Sequence, residues 1–350
     1  MHDIVIYTPP SNFHWGFEGA DVGGSELWAE VMAAELSKHH SVVLVCSTGG
    51  RKFFRGNLLV CDHSHKEAYA SCRYLISSRT SEALKKIQAS KKFMVYHDVV
   101  TQRNWEFIPD LQGTMYPGLA DEVDGYVFVS DWQRDFIQTT AAMMGGFDVI
   151  GPKSHVIPNG YYPERFAEKR EKKNQIIFSS NPERGLQLLL ELFPQIRERT
   201  GAKLKVCYGL DFYRSHSGAI NEQWFSYIEG MLDQEGATYM GHLTQEELAR
   251  EYLESKVWVY PSNFPETFCI TALEAMAGGC NCVATAQAAL TDTLDEADLI
   301  SAPAGTKGYN DTLVNLVEQA LTEPEKDYSE HLSKFTWDEV VKKWEHLLGG

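Results

Sequence analysis

Short apolar runs rich in β-branched residues punctuate the first half of the chain. "DIVIY" (3–7), "SVVLVC" (41–46), "KFMVYHD" (92–98), "GYVFVS" (125–130) and "SHVIP" (154–158) are nearly continuous in apolar character rather than alternating. That pattern predicts parallel strands covered on both faces of a sheet. Between the first two, "GGSELWAEVMAAELSKHH" places Leu27, Val31 and Ala34 at helical spacing, which predicts a βα unit. The second half repeats the scheme. "QIIFSS" (175–180), "KLKVCYG" (203–209), "KVWVYPS" (256–262) and "NCVAT" (281–285) read as strands, with "RGLQLLLELFPQIRERT" and "TQEELAREYLES" as helices. The Pro-, Gly- and charge-rich segment between the halves, residues 158–174, reads as an interdomain linker. The expected fold class is therefore α/β with two doubly wound, Rossmann-like domains, each binding ligands at the carboxyl ends of its strands.

Composition narrows the function classes. A chain of 350 residues, 43% apolar and 23% charged, has length and core material for two such domains. The net charge of −16 argues against a general nucleic-acid or anionic-membrane surface. Lys85, Lys86, Lys91 and Lys92 gather locally, and a solvated helix face accounts for them. The start "MHDIVIYTPP" lacks the basic region and long apolar core of a signal peptide, and no apolar stretch reaches the roughly 20 residues that span a bilayer. Seven cysteines without repeated spacing point to reduced thiols in the cytoplasm. Cys61, His63, His65 and Cys72 cluster in "CDHSHKEAYASC", but their spacing matches no metal motif, and no metal site is expected.

Four segments carry candidate chemistry. The loop "TPPSNFHWGFEGADVGG" is far longer than an ordinary βα connection and ends in Gly23-Gly24 at a helix start, a place where backbone amides and the helix dipole favour an anion. "FSSNPERGLQLLLELF" repeats the arrangement, with Arg184 beside Gly185. A guanidinium opposes the dipole at a helix start, so its placement makes most sense beside a bound anion. His97 and Asp98 stand at a strand end. Finally, "PETFCITALEAMAGG" holds Glu266 and Glu274 eight positions apart among small apolar residues. With Thr267 as amino cap and Gly278-Gly279 as stop, the helix is expected to begin near Phe268. It then presents a carboxylate ahead of the helix, the amides of Phe268, Cys269 and Ile270, and a second carboxylate a turn inside. Carboxylates suit sugar diols and free amides suit phosphate, together fitting a nucleotide diphosphate sugar.

These residues resemble a known family. "PETFCITALEAMAGGCNCVAT" is similar to the E-x7-E signature of retaining glycosyltransferases of the GT-B fold, in particular family 4. The resemblance extends in order to "GGSE", "HVIPNGYYPERF", "ATYMGHLTQEELAREYLESKVWVYPS" and the closing "FTWDEVVKKWEHLL". It implies two domains facing across a cleft: residues 1–160 together with a helix at 335–350 that crosses back, and residues 161–334. It implies that Glu274 holds the donor ribose and Glu266 meets hydroxyls of the transferred sugar. Phe268, Cys269 and Ile270 would lie near the sugar and diphosphate, Gly23 and Gly24 would approach the diphosphate from the first domain, and His97 would sit beside the sugar. Arg184 matches the Lys of an Arg/Lys pair that neutralises the diphosphate. The position expected to supply the Arg reads Phe178-Ser179-Ser180, and the usual Phe-Gly after the first Glu is Phe268-Cys269.

The resemblance implies sugar transfer from a nucleotide diphosphate sugar to the hydroxyl of a saccharide or glycolipid, with retention and without a metal or other cofactor. Any membrane contact is expected to be peripheral at most. Acceptor choice is assigned to Phe13, His14, Trp15 and Phe17 of the first loop and to "QRNWEFIPDLQGTMYPG". The alternatives are an inactive nucleotide-sugar-binding partner protein, which the missing cation favours, and a nucleotide-sugar epimerase.

Overall fold

The computed structural model describes residues 2–17, 23–98, 122–143, 151–210, 214, 222–294 and 298–349. They form two compact units, Met1–Asn159 with Trp337–Gly350, and Gly160–Thr336.

The first unit is built on an eight-stranded sheet. Its strands are β1 (His2–Tyr7), β2 (Val42–Val45), β3 (Lys52–Arg55), β4 (Leu58–Cys61), β5 (Ser71–Ser78), β6 (Gln88–Tyr96), β7 (Gly125–Phe128) and β8 (Ser154–Val156). Their order is β3-β4-β2-β1-β5-β6-β7-β8. Every pairing is parallel except the β3–β4 hairpin. Ile4–Tyr7 and Val42–Val45 are buried throughout, as a sheet covered on both faces requires. The helix α1 (Gly24–Leu36) follows β1. The helix Trp337–Leu348 packs on α1, its Trp344 ring lying 5.9 Å from that of Trp28.

Three strands of this sheet, β3, β4 and β5, have no counterpart among the sequence expectations. β4 is only four residues long, and exposed Arg73 interrupts the apolar run of β5. The expected lysine face also divides between elements. Lys85 and Lys86 close a short helix (Glu82–Lys86), whereas Lys91 and Lys92 belong to β6. The Lys92 ammonium donates to the Leu84 carbonyl, 2.5 Å, and pairs with Glu122, 3.2 Å.

The second unit carries six strands: β9 (Lys173–Phe178), β10 (Lys203–Val206), β11 (Ala237–Tyr239), β12 (Ser255–Tyr260), β13 (Asn281–Thr285) and β14 (Asp298–Ile300). The order β11-β10-β9-β12-β13-β14 is parallel throughout. Numbered within the unit this is 3-2-1-4-5-6, the doubly wound order whose direction of winding reverses between the first and fourth strands. Here that reversal lies between β9 and β12. Three helices matter to it: α2 (Leu186–Thr200), α3 (Gln245–Glu254) and α4 (Ile270–Ala277). The helix α3 opens on a reciprocal cap in which Thr244 and Glu247 satisfy each other's backbone amides. Its end fits against the end of α4 so closely that a Cβ on Gly278 would lie 2.6 Å from that of Tyr252. Lys172 ties the same two helix ends together, donating to the carbonyls of Tyr252 (3.1 Å), Ser255 (2.8 Å) and Gly278 (2.5 Å). A cation on outward carbonyls at a helix end is favoured by the dipole.

Candidate active site in the second unit

The winding reversal in the second unit gathers the residues singled out from the sequence. Arg184 lies in the turn after β9, and Glu266 in the turn after β12. Gly185 joins the first turn to α2 with φ of +104°, a conformation that favours glycine. A Cβ there would stand 2.5 Å from the Pro261 carbonyl oxygen, so the turn that carries Arg184 lies directly on the end of β12.

Glu266 is only 3% exposed, and both of its carboxylate oxygens meet donors within the protein. Arg184 Nη1 donates to both oxygens, at 2.7 and 2.8 Å, and the Tyr260 hydroxyl donates to Oε1 at 2.5 Å. The guanidinium stacks over the Phe264 ring at 4.1 Å. Burial is the largest single influence and works against the Arg184 charge, but the Glu266 carboxylate together with Tyr260 and Cys269 outweighs it and holds the guanidinium above its ordinary pKa. Burial, and then the neighbouring Glu266 charge, push the Tyr260 phenol well above its usual value, so it stays protonated and serves as a donor. Arg184, expected to await an anion, therefore already has one within the protein.

The helix carrying Glu274 starts later than the sequence suggests. It begins at Ile270, with Cys269 rather than Thr267 in the cap position. Phe268 is drawn into the core against Phe335, ring centroids 5.9 Å apart, and Ala272 N–H bonds back to the Cys269 carbonyl at 3.1 Å. Phe268 and Cys269 thus lie in the lead-in, and the first-turn amides of α4 begin with Ile270 and Thr271. The helix ends at Gly278, with Gly279 in the left-handed region at φ of +74°.

Glu274 is 6% exposed. In contrast to Glu266, no donor among the described residues hydrogen-bonds its carboxylate. Burial raises its pKa from 4.5 to about 7, with the Arg165 charge a smaller opposing effect. Beside it, the Tyr252 hydroxyl shares a 2.5 Å hydrogen bond with Ser179, and the Glu274 charge helps to raise the Tyr252 pKa. Ser180 makes the matching contact with the Tyr260 hydroxyl, 3.3 Å. Neutral serine–tyrosine pairs therefore occupy the region where the resemblance leads one to expect an arginine.

The first unit has its own reversal, between β1 and β5. Gly23 caps α1 in extended conformation, and Gly24 is the first helical residue. Close by is a residue that no sequence motif marks. Arg79, just past β5, has φ of +62° and donates to Asp98 (2.6 Å), Ser25 (2.9 Å) and Glu26 (3.4 Å). A non-glycine residue held in that conformation costs about 1 kcal/mol, and such strain clusters at functional sites. Half-buried His97 follows β6 and packs against Trp28 at 4.7 Å. Burial lowers its pKa to about 3, Asp98 opposing and Arg79 reinforcing the change, so the imidazole is neutral at physiological pH. The structure thus groups Arg184, Glu266, Phe268, Cys269, Ile270 and Glu274 in one unit, and Gly23, Gly24 and His97 in the other.

Other candidates have local tasks. Trp15 of the first loop is buried, and the Phe17 amide donates to Glu30 at 2.6 Å, while His14 is exposed. Residues 102–118 lie outside the described residues. Cys61 and Cys72 are buried free thiols, and His63 and His65 bond the carbonyls of Thr8 (2.8 Å) and Gly50 (2.9 Å). Among the described residues no helix is long and apolar enough to cross a membrane.

Residues 163–335, nearly all of the second unit, match the family Glycosyl transferases group 1. The chain is 24% identical to the lipopolysaccharide 1,2-N-acetylglucosaminetransferase of Salmonella typhimurium strain LT2, over 55% of each protein; it spans about half the length of that relative. Among solved structures it is similar to sucrose-phosphate synthase from Thermosynechococcus elongatus, with a TM-score of 0.74 and 14% identity over 99% of this chain and 98% of that one. It is similar also to Anabaena HepE in complex with UDP and glucose (TM-score 0.70, 13% identity, 99% of both chains). A third is WaaG, a glycosyltransferase involved in lipopolysaccharide biosynthesis (TM-score 0.65, 12% identity, 99% of this chain and 100% of that one). The chain has the GT-B fold, and its second unit carries the match to glycosyl transferases of group 1.

Proposed function

We propose that this protein is a retaining, metal-independent glycosyltransferase that moves a sugar from a nucleotide diphosphate sugar to a hydroxyl of a saccharide or glycolipid. One observation carries the reading: Glu274, a buried carboxylate without a hydrogen-bond donor among the described residues, stands one turn inside a helix that starts at the winding reversal of the second unit. An ionised carboxylate so placed costs several kcal/mol until something hydrogen-bonds it. A ribose diol supplies two donors in the required geometry. The first-turn amides of α4 take the diphosphate, and Glu266 takes a hydroxyl of the sugar. The matched family and the lipopolysaccharide-directed relative support the donor class and an acceptor of saccharide or glycolipid type.

In the reaction, the bond from the anomeric carbon to the phosphate oxygen breaks while the acceptor oxygen attacks from the same face. The acceptor proton passes to the departing phosphate. The protein supplies alignment and stabilisation of developing charge rather than a strong base. His97, being neutral, contributes hydrogen bonding and not charge. The first unit receives the acceptor.

Calorimetric titration with GDP, UDP, dTDP and ADP sugars without metal, on the wild type and Glu274→Ala, tests the donor site. Saturable binding of one nucleotide class, at least about tenfold weaker in the variant, is expected. No binding of any class overturns the reading. Turnover in chelator and the anomeric configuration of the product test the metal and retention statements. A second reading, a partner that binds the donor without transferring it, is favoured by the neutral Ser179–Tyr252 and Ser180–Tyr260 pairs where a cation is expected. Donor binding without turnover on any acceptor would select it.

A further inference from the structure

We infer that Tyr260 is a positioning residue for the transferred sugar: its hydroxyl fixes Glu266 so that Oε2 is left as the oxygen that accepts a sugar hydroxyl. The inference rests on the donor site proposed above. Its own observations are the unequal engagement of the two Glu266 oxygens and the rigidity of the group that causes it. Oε1 receives two donors, Arg184 and Tyr260, whereas Oε2 receives Arg184 alone. A carboxylate oxygen with two hydrogen bonds is near saturation, and one with a single bond retains a lone pair.

Tyr260 has no freedom to share that task. It is wholly buried as the last residue of β12, stacked on Trp258 with centroids 5.0 Å apart and packed against Phe178 at 6.2 Å. Because ionised Glu266 can only accept, Tyr260 donates to it. The phenol oxygen then accepts from Ser180, giving a directed relay from Ser180 through Tyr260 to Glu266. Arg184 alone does not choose between the oxygens, since Nη1 lies within 0.1 Å of equidistant from both (2.7 and 2.8 Å). The asymmetry belongs to Tyr260. Its loss frees the carboxylate to rotate and share Oε1 and Oε2 indifferently, so the sugar contact is spread over orientations that do not react.

The test compares the nucleoside diphosphate that binds the wild type with its sugar-bearing form, on Tyr260→Phe and Ser180→Ala. The expected result for Tyr260→Phe is an unchanged affinity for the nucleoside diphosphate, a loss of about tenfold in the increment the sugar adds, and a fall in kcat larger than the rise in KM. Ser180→Ala, which keeps the phenol, gives a smaller loss in the same direction and serves if the phenylalanine variant folds poorly. A donor analogue lacking the contacted hydroxyl binds the wild type more weakly than the full donor, and Tyr260→Phe equally to it. Equal losses for diphosphate and sugar nucleotide, or no loss for either, overturn the inference while leaving the donor site intact. A wild type that binds neither ligand overturns both.

Discussion

Glu266 and Glu274 have the same side chain, lie eight residues apart and are almost equally buried, yet the fold treats them in opposite ways. Glu266 is met by Arg184 and Tyr260 within the protein. Glu274 is met by no hydrogen-bond donor among the described residues, and burial, only partly opposed by the Arg165 charge, pushes its pKa up to about 7. A paired buried carboxylate is part of the structure and holds a geometry. An unpaired one is an unfavourable term that folding tolerates and a ligand relieves. The pair thus separates orientation from recognition.

The sharpest way to break this contrast is Arg184→Ala. It leaves Glu266 charged and buried with only the phenol as donor, and is expected to lower stability by about 3 kcal/mol in urea denaturation. Glu274→Gln goes the opposite way. The rise from 4.5 to about 7 corresponds to about 3 kcal/mol. Because the folded-state value is the higher one, the unfolded chain gives up its proton first, and stability is lost as pH rises from 4.5 through about 7. The glutamine variant should therefore match the wild type near pH 4 and exceed it by up to about 3 kcal/mol near pH 8, while donor affinity falls at least tenfold.

A third test uses the wild type alone. Donor binding that needs ionised Glu274 should weaken about tenfold (about 1.4 kcal/mol) between pH 8 and pH 6, with no such change in Glu274→Gln. The smallest effect is expected for Ser180→Ala, about 1 kcal/mol or less in stability, through the lost hydrogen bond to Tyr260.

Much of this was legible in the sequence because it is local. Ile4–Tyr7 and Val42–Val45 announce buried strands by composition, and Gly278-Gly279 announces a helix stop. Glu266 and Glu274 stood out because their neighbours are apolar. What was missed depends on distant contacts. Thr267 looks like a cap, but the packing of Phe268 on Phe335, 67 positions away, moves the helix start to Ile270. The lysine run looks like one surface until strand pairing places Lys91 beside Tyr74 and Lys92 beside Leu75. Arg79 is followed by no motif, and its partners lie 19 to 54 residues away. Tyr260 reads as one more apolar residue of a strand until its ring is seen to end on Glu266.

The helix Trp337–Leu348 has a consequence for how the molecule is made. Unit 2 is continuous in sequence and can close on itself as it leaves the ribosome. Unit 1 cannot, because Trp344, which covers Trp28, is translated only after the whole of unit 2. For the time taken to synthesise some three hundred residues, the Trp28 face of α1 is an uncovered apolar surface on a nascent chain, the kind of surface that chaperones bind and that aggregates when they do not. A segment made before unit 2 is therefore finished only after it.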